Sequence, residues 1–460
     1  MLLFGAVFCR SEVLRHLFQK EERMAAGELK PRWGQPLTGI ISSIAFFGIA
    51  LILWYILSDP RGPIHSFPYP FVLYLAMMIL VGLWQHMFLG DWPFQDLPQP
   101  ARGIIETFVN LALVWLVIHV IFYRVLGLGF NFLSQSNLED LASGGSYIAQ
   151  FKDAAGAMVT CGRELSLEKL VAGAARYGER AVVCFVLIGF FSYPFVTILF
   201  GKWPVRPSDL KQPMAGLAEF GWCSMWTMFF YVVLIVPFFG MLYGKMFGTS
   251  YGMNFPWWTS IAGTPHVHWV FGWWEWMIVV LFMTPNVWRM KPWSAIKLAQ
   301  PLKGLVSFLC IVVLGYLLGS ACVKFAPLWL PDMTEALKAN ANDSMARFLW
   351  YHAAEIAGFT LFPFLAWHHY FDDMVPMPDV DSWSAFWYRT AGIGVLCVIN
   401  YIFFYYINFG HWGLGNHHME HSVADRVLHG ESLIWNFWWI IPLLWNEWFF
   451  HKWPFYSHEH

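Results

Sequence analysis

Apolar residues in this chain fall in blocks of about twenty, the length that crosses a bilayer's hydrocarbon core. Ten such blocks can be marked: Leu37–Leu57, Phe71–Leu89, Gly103–Tyr123, Ala181–Phe200, Gly216–Leu242, Val270–Trp288, Gly304–Phe325, Phe348–Trp367, Ala385–Phe409 and Leu433–Phe450. Each is nearly free of Lys and Arg. Lipid offers no hydrogen-bond partner, so each block must satisfy its own backbone as a helix. The expected fold class is all-α: a polytopic integral membrane helical bundle of about ten transmembrane helices. The weakest of the ten is Val270–Trp288, which is short and carries Glu275.

A repeat runs through the polar gaps. Gln-Pro-x-x-Gly occurs at Gln35–Gly39, Gln99–Gly103, Gln212–Gly216 and Gln300–Gly304, each opening an odd-numbered span. A tryptophan precedes each copy: Trp33, Trp92, Trp203 and Trp293. Trp383-Ser384-Ala385 echoes Trp293-Ser294-Ala295 as a degenerate fifth copy, and Trp453-Pro454-Phe455 echoes Trp92-Pro93-Phe94 at the end. The unit is a two-helix hairpin, and five units account for ten spans. Proline suits a first helical turn, and tryptophan suits the membrane interface, so the repeat reads first as a helix-start and anchoring device. A repeated surface that binds a partner is the functional alternative.

Lys and Arg concentrate before the odd-numbered spans once the long segment after the third span is set aside. The positive-inside rule then places both termini in the cytoplasm, with the protein in a cell inner membrane. The expected segmentation is a cytoplasmic N-terminal segment at 1–36, transmembrane helices 1–3 at 37–125, an outer (periplasmic) loop at 126–180, and helices 4–10 at 181–460. His-rich outer loops fall at 245–269 and 410–432. Within the long loop, Asn137–Gln150 is polar and Ser/Gly-rich, while Ser166–Tyr177 has helical spacing. Met24 is an alternative start, because Lys30, Pro31 and Arg32 lead directly into the first span.

Composition supports this picture and narrows function. The chain is 58% hydrophobic and 13% charged, with net charge −2. No basic stripe exists, so nucleic acid is not an expected partner. The expected partners are the lipid bilayer and other membrane or periplasmic subunits. Seven cysteines are scattered without C-x-x-C spacing, which argues against an iron–sulfur site or a disulfide framework.

The densest candidate chemistry lies between the last two spans. His411, His417, His418 and His421 are followed by His429, and Glu420 sits among them. On a helical turn His417, His418 and His421 share a face. Imidazole is the commonest ligand for zinc, copper or iron. His266 and His268 occupy the equivalent loop of the third unit and are expected to complete the set. The spans after these two loops echo each other, Asn286-Val287-Trp288 against Asn446-Glu447-Trp448. The spacing is not the His-Glu-x-x-His of zinc proteases. Interfacial histidines also serve simply as amphipathic anchors.

Carboxylates inside spans are the second signal, since burial there is costly unless the group is paired. Glu106, Glu219 and Glu447 lie toward the inner side, and Glu275 and Glu355 toward the outer side. Glu275, Glu355 and Glu420 are the expected catalytic or proton-moving groups. A neutral glutamate hydrogen-bonded between helices is the structural alternative. An inner His368, His369, Asp372, Asp373 cluster is a lesser metal candidate. The many tryptophans are expected to pack and anchor, or else to line a pocket for a flat apolar molecule such as a quinone. Three functions fit: a membrane oxidoreductase with an outer metal site and a small or lipophilic substrate, a proton-coupled solute or ion transporter, and a haem-binding respiratory anchor.

Overall fold

The structure is a computed structural model that describes residues 29–57, 63–64, 71–125, 147–152, 158–163, 185–186, 188–204, 210–231, 269–328, 343–405 and 431–457. It is predominantly helical. In chain order the helices are α1 (Leu37–Leu57), α2 (Phe71–Leu83), α3 (Ala101–Leu116), α4 (Ile188–Leu199), α5 (Met214–Phe230), α6 (Trp269–Asn286), α7 (Leu302–Phe325), α8 (Asp343–Gly358), α9 (Leu361–His369), α10 (Trp383–Tyr405) and α11 (Glu431–Trp448). Four helical stretches are long and apolar enough to cross a membrane: Leu37–Leu57, Ala101–Phe122, Leu302–Phe325 and Trp383–Phe404. α8 and α9 form one path broken at Phe359 and Thr360. One short strand pair, β1 (Lys30–Pro31) with β4 (Tyr456–Ser457), ties the two ends of the described chain together.

The long segment after α3 contains strands. β2 (Tyr147–Lys152) pairs antiparallel with β3 (Met158–Arg163), Tyr147 opposite Arg163. The stretch read from sequence as polar and Ser/Gly-rich, Asn137–Gln150, overlaps β2 at its last four residues. These continue into an alternating run through Phe151 and Lys152 that suits a strand. The helical expectation at Ser166–Tyr177 lies outside the described residues.

The repeat has a second half that the Gln-Pro motif does not reveal. The second helix of each repeat ends on one widened turn, in which an N–H reaches five residues back: Leu89 to Trp84, Phe200 to Phe195, Trp288 to Met283, Phe371 to Ala366 and Phe450 to Trp445. Two left-handed residues follow in every copy: Gly90 and Asp91, Gly201 and Lys202, Arg289 and Met290, Asp372 and Asp373, His451 and Lys452. The N–H of the second residue closes onto the carbonyl six back, at Gln85, Val196, Thr284, Trp367 and Asn446. This is the Schellman-type closure that satisfies helix C-terminal carbonyls. The fifth repeat is therefore as regular as the others at its end. The alignment also shows that the Asn286/Asn446 echo is out of register: Thr284, not Asn286, is structurally equivalent to Asn446.

The glutamines join one repeat to another. Gln212 is typical: its Nε2 donates to Phe88 O at 2.9 Å, while its Oε1 accepts from Gly216 N at 3.1 Å. Gln300 does the same with Leu199 O at 2.7 Å and Gly304 N at 3.0 Å. Gln99 reaches Phe449 O and Gln35 reaches Tyr370 O, both at 2.8 Å. In the fifth repeat Asp381 stands in the glutamine's place and pairs with Arg289 at 2.8 Å. There Arg389 donates to Val287 O, the carbonyl equivalent to the other four, at 3.4 Å. The proline precedes the helix as its N-cap in α3, α5 and α7, one position earlier than a first-turn proline.

These links close a ring. The second helices of the repeats neighbour one another in sequence order: Leu80 of α2 abuts Gly189 of α4, Phe191 of α4 meets Trp274 of α6, α6 packs on α8, α9 on α11, and α11 on α2. The first helix of each repeat (α1, α3, α5, α7 and α10) lies over second helices of other repeats. Thus α5 contacts Trp84 and Ser192, and α10 contacts His352 and Trp288. The inner helices are buried, whereas α1, α3, α5, α7 and α10 expose apolar side chains such as Ile44, Phe108, Met228, Val313 and Val395. Outward aliphatic faces on long apolar helices suit contact with lipid. The two spans of a repeat are hairpin partners in sequence, but α1 makes its main contacts with α11 and α9.

Loss of a glutamine leaves both a carbonyl and a helix-start N–H without its partner. Gln300→Ala is expected to lower stability by about 1–3 kcal/mol, the cost of leaving a buried polar group unsatisfied. Thermal unfolding of the detergent-solubilised protein, followed by tryptophan fluorescence, reads this directly.

Candidate functional site

The ring has two ends of different chemistry. At one end, here called the rim, lie the Gln-Pro starts and the left-handed turns. At the other, the far end, the second helices of the repeats begin and the first helices finish.

Side chains of the left-handed turns build the rim. In three of the five repeats the second residue of the pair folds back on the residue five earlier: Asp91 Oδ1 lies 3.0 Å from His86 Nδ1, Asp373 Oδ1 lies 3.0 Å from His368 Nδ1, and Lys452 Nζ lies 3.6 Å from Glu447. Charges then bridge repeats. Arg102, opening the second repeat, pairs with Asp91 and holds Glu106 at 3.1 Å. Lys202 stands where Asp91 does one repeat later, and it reaches Glu219 at 3.0 Å. His369 Nδ1 meets Glu447 at 3.2 Å, and Arg289 lies 3.8 Å from Asp373. Burial opposes ionisation of Asp91, but hydrogen bonds from His451 and His86 and the Arg102 charge hold its carboxyl well below the usual range.

The first left-handed residue carries the more unusual choice. Glycine adopts that conformation without steric cost and occupies it in the first two repeats. The other three use Arg289, Asp372 and His451, and each side chain reaches another repeat. Arg289 meets Asp381, Asp372 accepts from Gln35 Nε2 at 2.7 Å, and His451 Nε2 lies 3.5 Å from Asp91. The inner residues read from sequence as one metal candidate divide among separate partners: His368 and Asp373 form one pair, His369 joins Glu447, and Asp372 serves the ring closure. Asp91, Arg102 and His451 were not singled out by sequence. Their common signal is position relative to the Trp-Pro turn, which becomes visible only when the helix ends are superposed.

The far end holds a buried polar path. On α8, His352 Nδ1 lies 3.2 Å from Glu355, and His352 Nε2 is 2.9 Å from the Tyr401 hydroxyl on α10. Beside it, Asn400 accepts from Trp435 Nε1 at 3.0 Å and donates to Asn436 and to Phe359 O, both at 3.3 Å. The last contact uses a carbonyl at the α8–α9 break. Glu275 is buried on α6, which packs against α8. Among the described residues no cationic side chain forms an ion pair with it.

Of the expected site residues, Glu275 and Glu355 are therefore both buried at the far end. His266, His268, His411, His417, His418, His421 and Glu420 lie outside the described residues. In sequence, His268 immediately precedes α6, and His411 follows the last described residue of α10 by six positions. Comparison with protein-family models, curated proteins and solved structures gives no match for this chain.

Proposed function

We propose that the chain is a ten-span inner-membrane protein with cytoplasmic termini, and that it is a membrane oxidoreductase with a transition-metal centre on its outer face. His411, His417, His418 and His421 supply imidazoles, with His266 and His268 completing the set, and Glu420 lies among them. The carrying observation is the buried His352–Glu355–Tyr401 group, with Glu275 on the adjoining helix, at the ends of the helices that lead to those histidines. Three linked titratable groups form a short route for a proton between that face and the ring interior, which redox chemistry on a small or lipophilic substrate requires. The transporter reading loses two of its carriers, because Glu106 and Glu219 are held by Arg102 and Lys202 at the rim.

Metal analysis of the detergent-purified chain is the test. Copper or iron is expected in wild type and is expected to fall sharply in a His417→Ala/His421→Ala variant, while Tyr401→Phe retains it. Wild type without metal above background would sink the proposal. Zinc in place of copper or iron would remove the oxidoreductase reading.

A further inference from the structure

His86, Asp91 and His451 bring two imidazoles and one carboxylate together at the rim, and none of them belongs to the histidine set of the proposed function. His86 and Asp91 end the first repeat, and His451 ends the fifth. Their three ligand atoms lie within 4.8 Å of one another. His86 Nδ1 to Asp91 Oδ1 is 3.0 Å, and His451 Nε2 to Asp91 Oδ2 is 3.5 Å. Donors bound at about 2.0–2.1 Å to a tetrahedral ion sit roughly 3.4 Å apart; each imidazole lies near that distance from one oxygen of Asp91, His86 from Oδ1 and His451 from Oδ2.

Several features set this trio apart from the other histidine–carboxylate pairs of the rim. It is the one group of three such side chains, among the described residues, whose ligand atoms converge. Asp91 is buried and the Nε2 of His451 is itself shielded from solvent, while the imidazoles of His86 and His451 as a whole are 31% and 24% exposed. Arg102 pairs with Asp91 Oδ2. That is the kind of outer partner that orients a ligating carboxylate. Finally, His451 takes the left-handed position that glycine fills in the first two repeats, with φ of 47°. A side chain there needs compensation from its surroundings, and that of His451 is directed onto Asp91.

We propose that His86, Asp91 and His451 form a divalent transition-metal site that fastens the last repeat of the ring to the first. Two imidazoles with one carboxylate suit zinc or iron(II), and three protein ligands leave at least one coordination position open. The site is independent of the outer histidines, since none of its ligands comes from them.

The test uses the full chain in detergent, stripped with a chelator and titrated with Co²⁺ as an optical probe. A background variant with His411, His417, His418 and His421 all replaced by alanine is expected to keep one equivalent of Co²⁺, with the visible absorption of a low-coordinate ion. On that background, His86→Ala or His451→Asn is expected to weaken Co²⁺ at least about 100-fold, because losing even an outer partner costs 10- to 100-fold. Asparagine is chosen at 451 because it tolerates left-handed backbone. No binding by the background variant, or unchanged binding after either rim substitution, overturns the proposal. A measurement on the unmutated rim guards against misfolding: one equivalent of Zn²⁺ is expected to protect His86 and His451 together from carbethoxylation, read by peptide mass. Unchanged labelling of both overturns it equally.

Discussion

Replacing Arg102 with alanine is expected to destabilise the protein by about 3–5 kcal/mol, the range for removing one partner of a buried ion pair. The magnitude follows from what would be left behind. Arg102 is the shared cation of two buried carboxylates, paired with Asp91 and 3.1 Å from Glu106, and it also donates to Gln95 O at 3.3 Å. Without it, two like charges face each other away from bulk water, and each loses its counter-charge. Arg102→Ala with Asp91→Asn and Glu106→Gln removes the stranded charges and is expected to recover most of the loss. Urea or thermal unfolding in detergent reads both variants. A single mutant within about 1 kcal/mol of wild type would show that water reaches this cluster freely, as at exposed ion pairs.

Gly103→Ala should cost about 1–3 kcal/mol by overpacking, and Phe450→Leu should return much of that cost. A methyl at Gly103 would meet the Phe450 ring at 2.6 Å, closer than any real contact allows. The same approach recurs around the ring: Gly39 on Phe371 at 2.6 Å and Gly304 on Phe200 at 2.8 Å. Ala385 takes the equivalent place in the fifth repeat, where Phe386 packs on Trp288. Small residues at such crossings let helices approach closely, which matters most where no hydrophobic driving force separates lipid from protein. The pairing is specific: Phe450→Leu is expected to relieve Gly103→Ala, whereas Phe371→Leu is not. Equal rescue by both would mean that the first two residues do not face each other, and the order of the ring would be wrong. A double-mutant cycle on unfolding free energy separates the cases.

Much of the fold was legible before any coordinates. Block length and the lack of cations located α1 at Leu37–Leu57, and the Gln-Pro motif marked the starts of α3, α5 and α7 to within about two residues. Both signals are local, because helix length and helix starts depend on residues within a turn or two. The left-handed turns were not legible for three of five repeats. Glycine announces such a turn in Gly90 and Gly201, but Arg289, Asp372 and His451 do not, since their conformation is sustained by contacts from other repeats. The strand pair at Tyr147–Arg163 was missed because its alternation is short and straddles a polar stretch.

The candidate site divides along the same line. Sequence alone identified histidine-rich segments and intraspan carboxylates by residue type, and it placed Glu275 and Glu355 toward one end of the spans. The tertiary structure decided their partners: His352 and Tyr401 for Glu355, Arg102 for Glu106, and Lys202 for Glu219. It also brought Asp91 to His451, 360 positions apart in the chain, through ring closure between the first and last repeats. Periodicity and motif spacing are properties of neighbouring residues, so the chain determines helices and their boundaries by itself. Which end meets which is set by packing summed over all five repeats, and no local pattern encodes that sum.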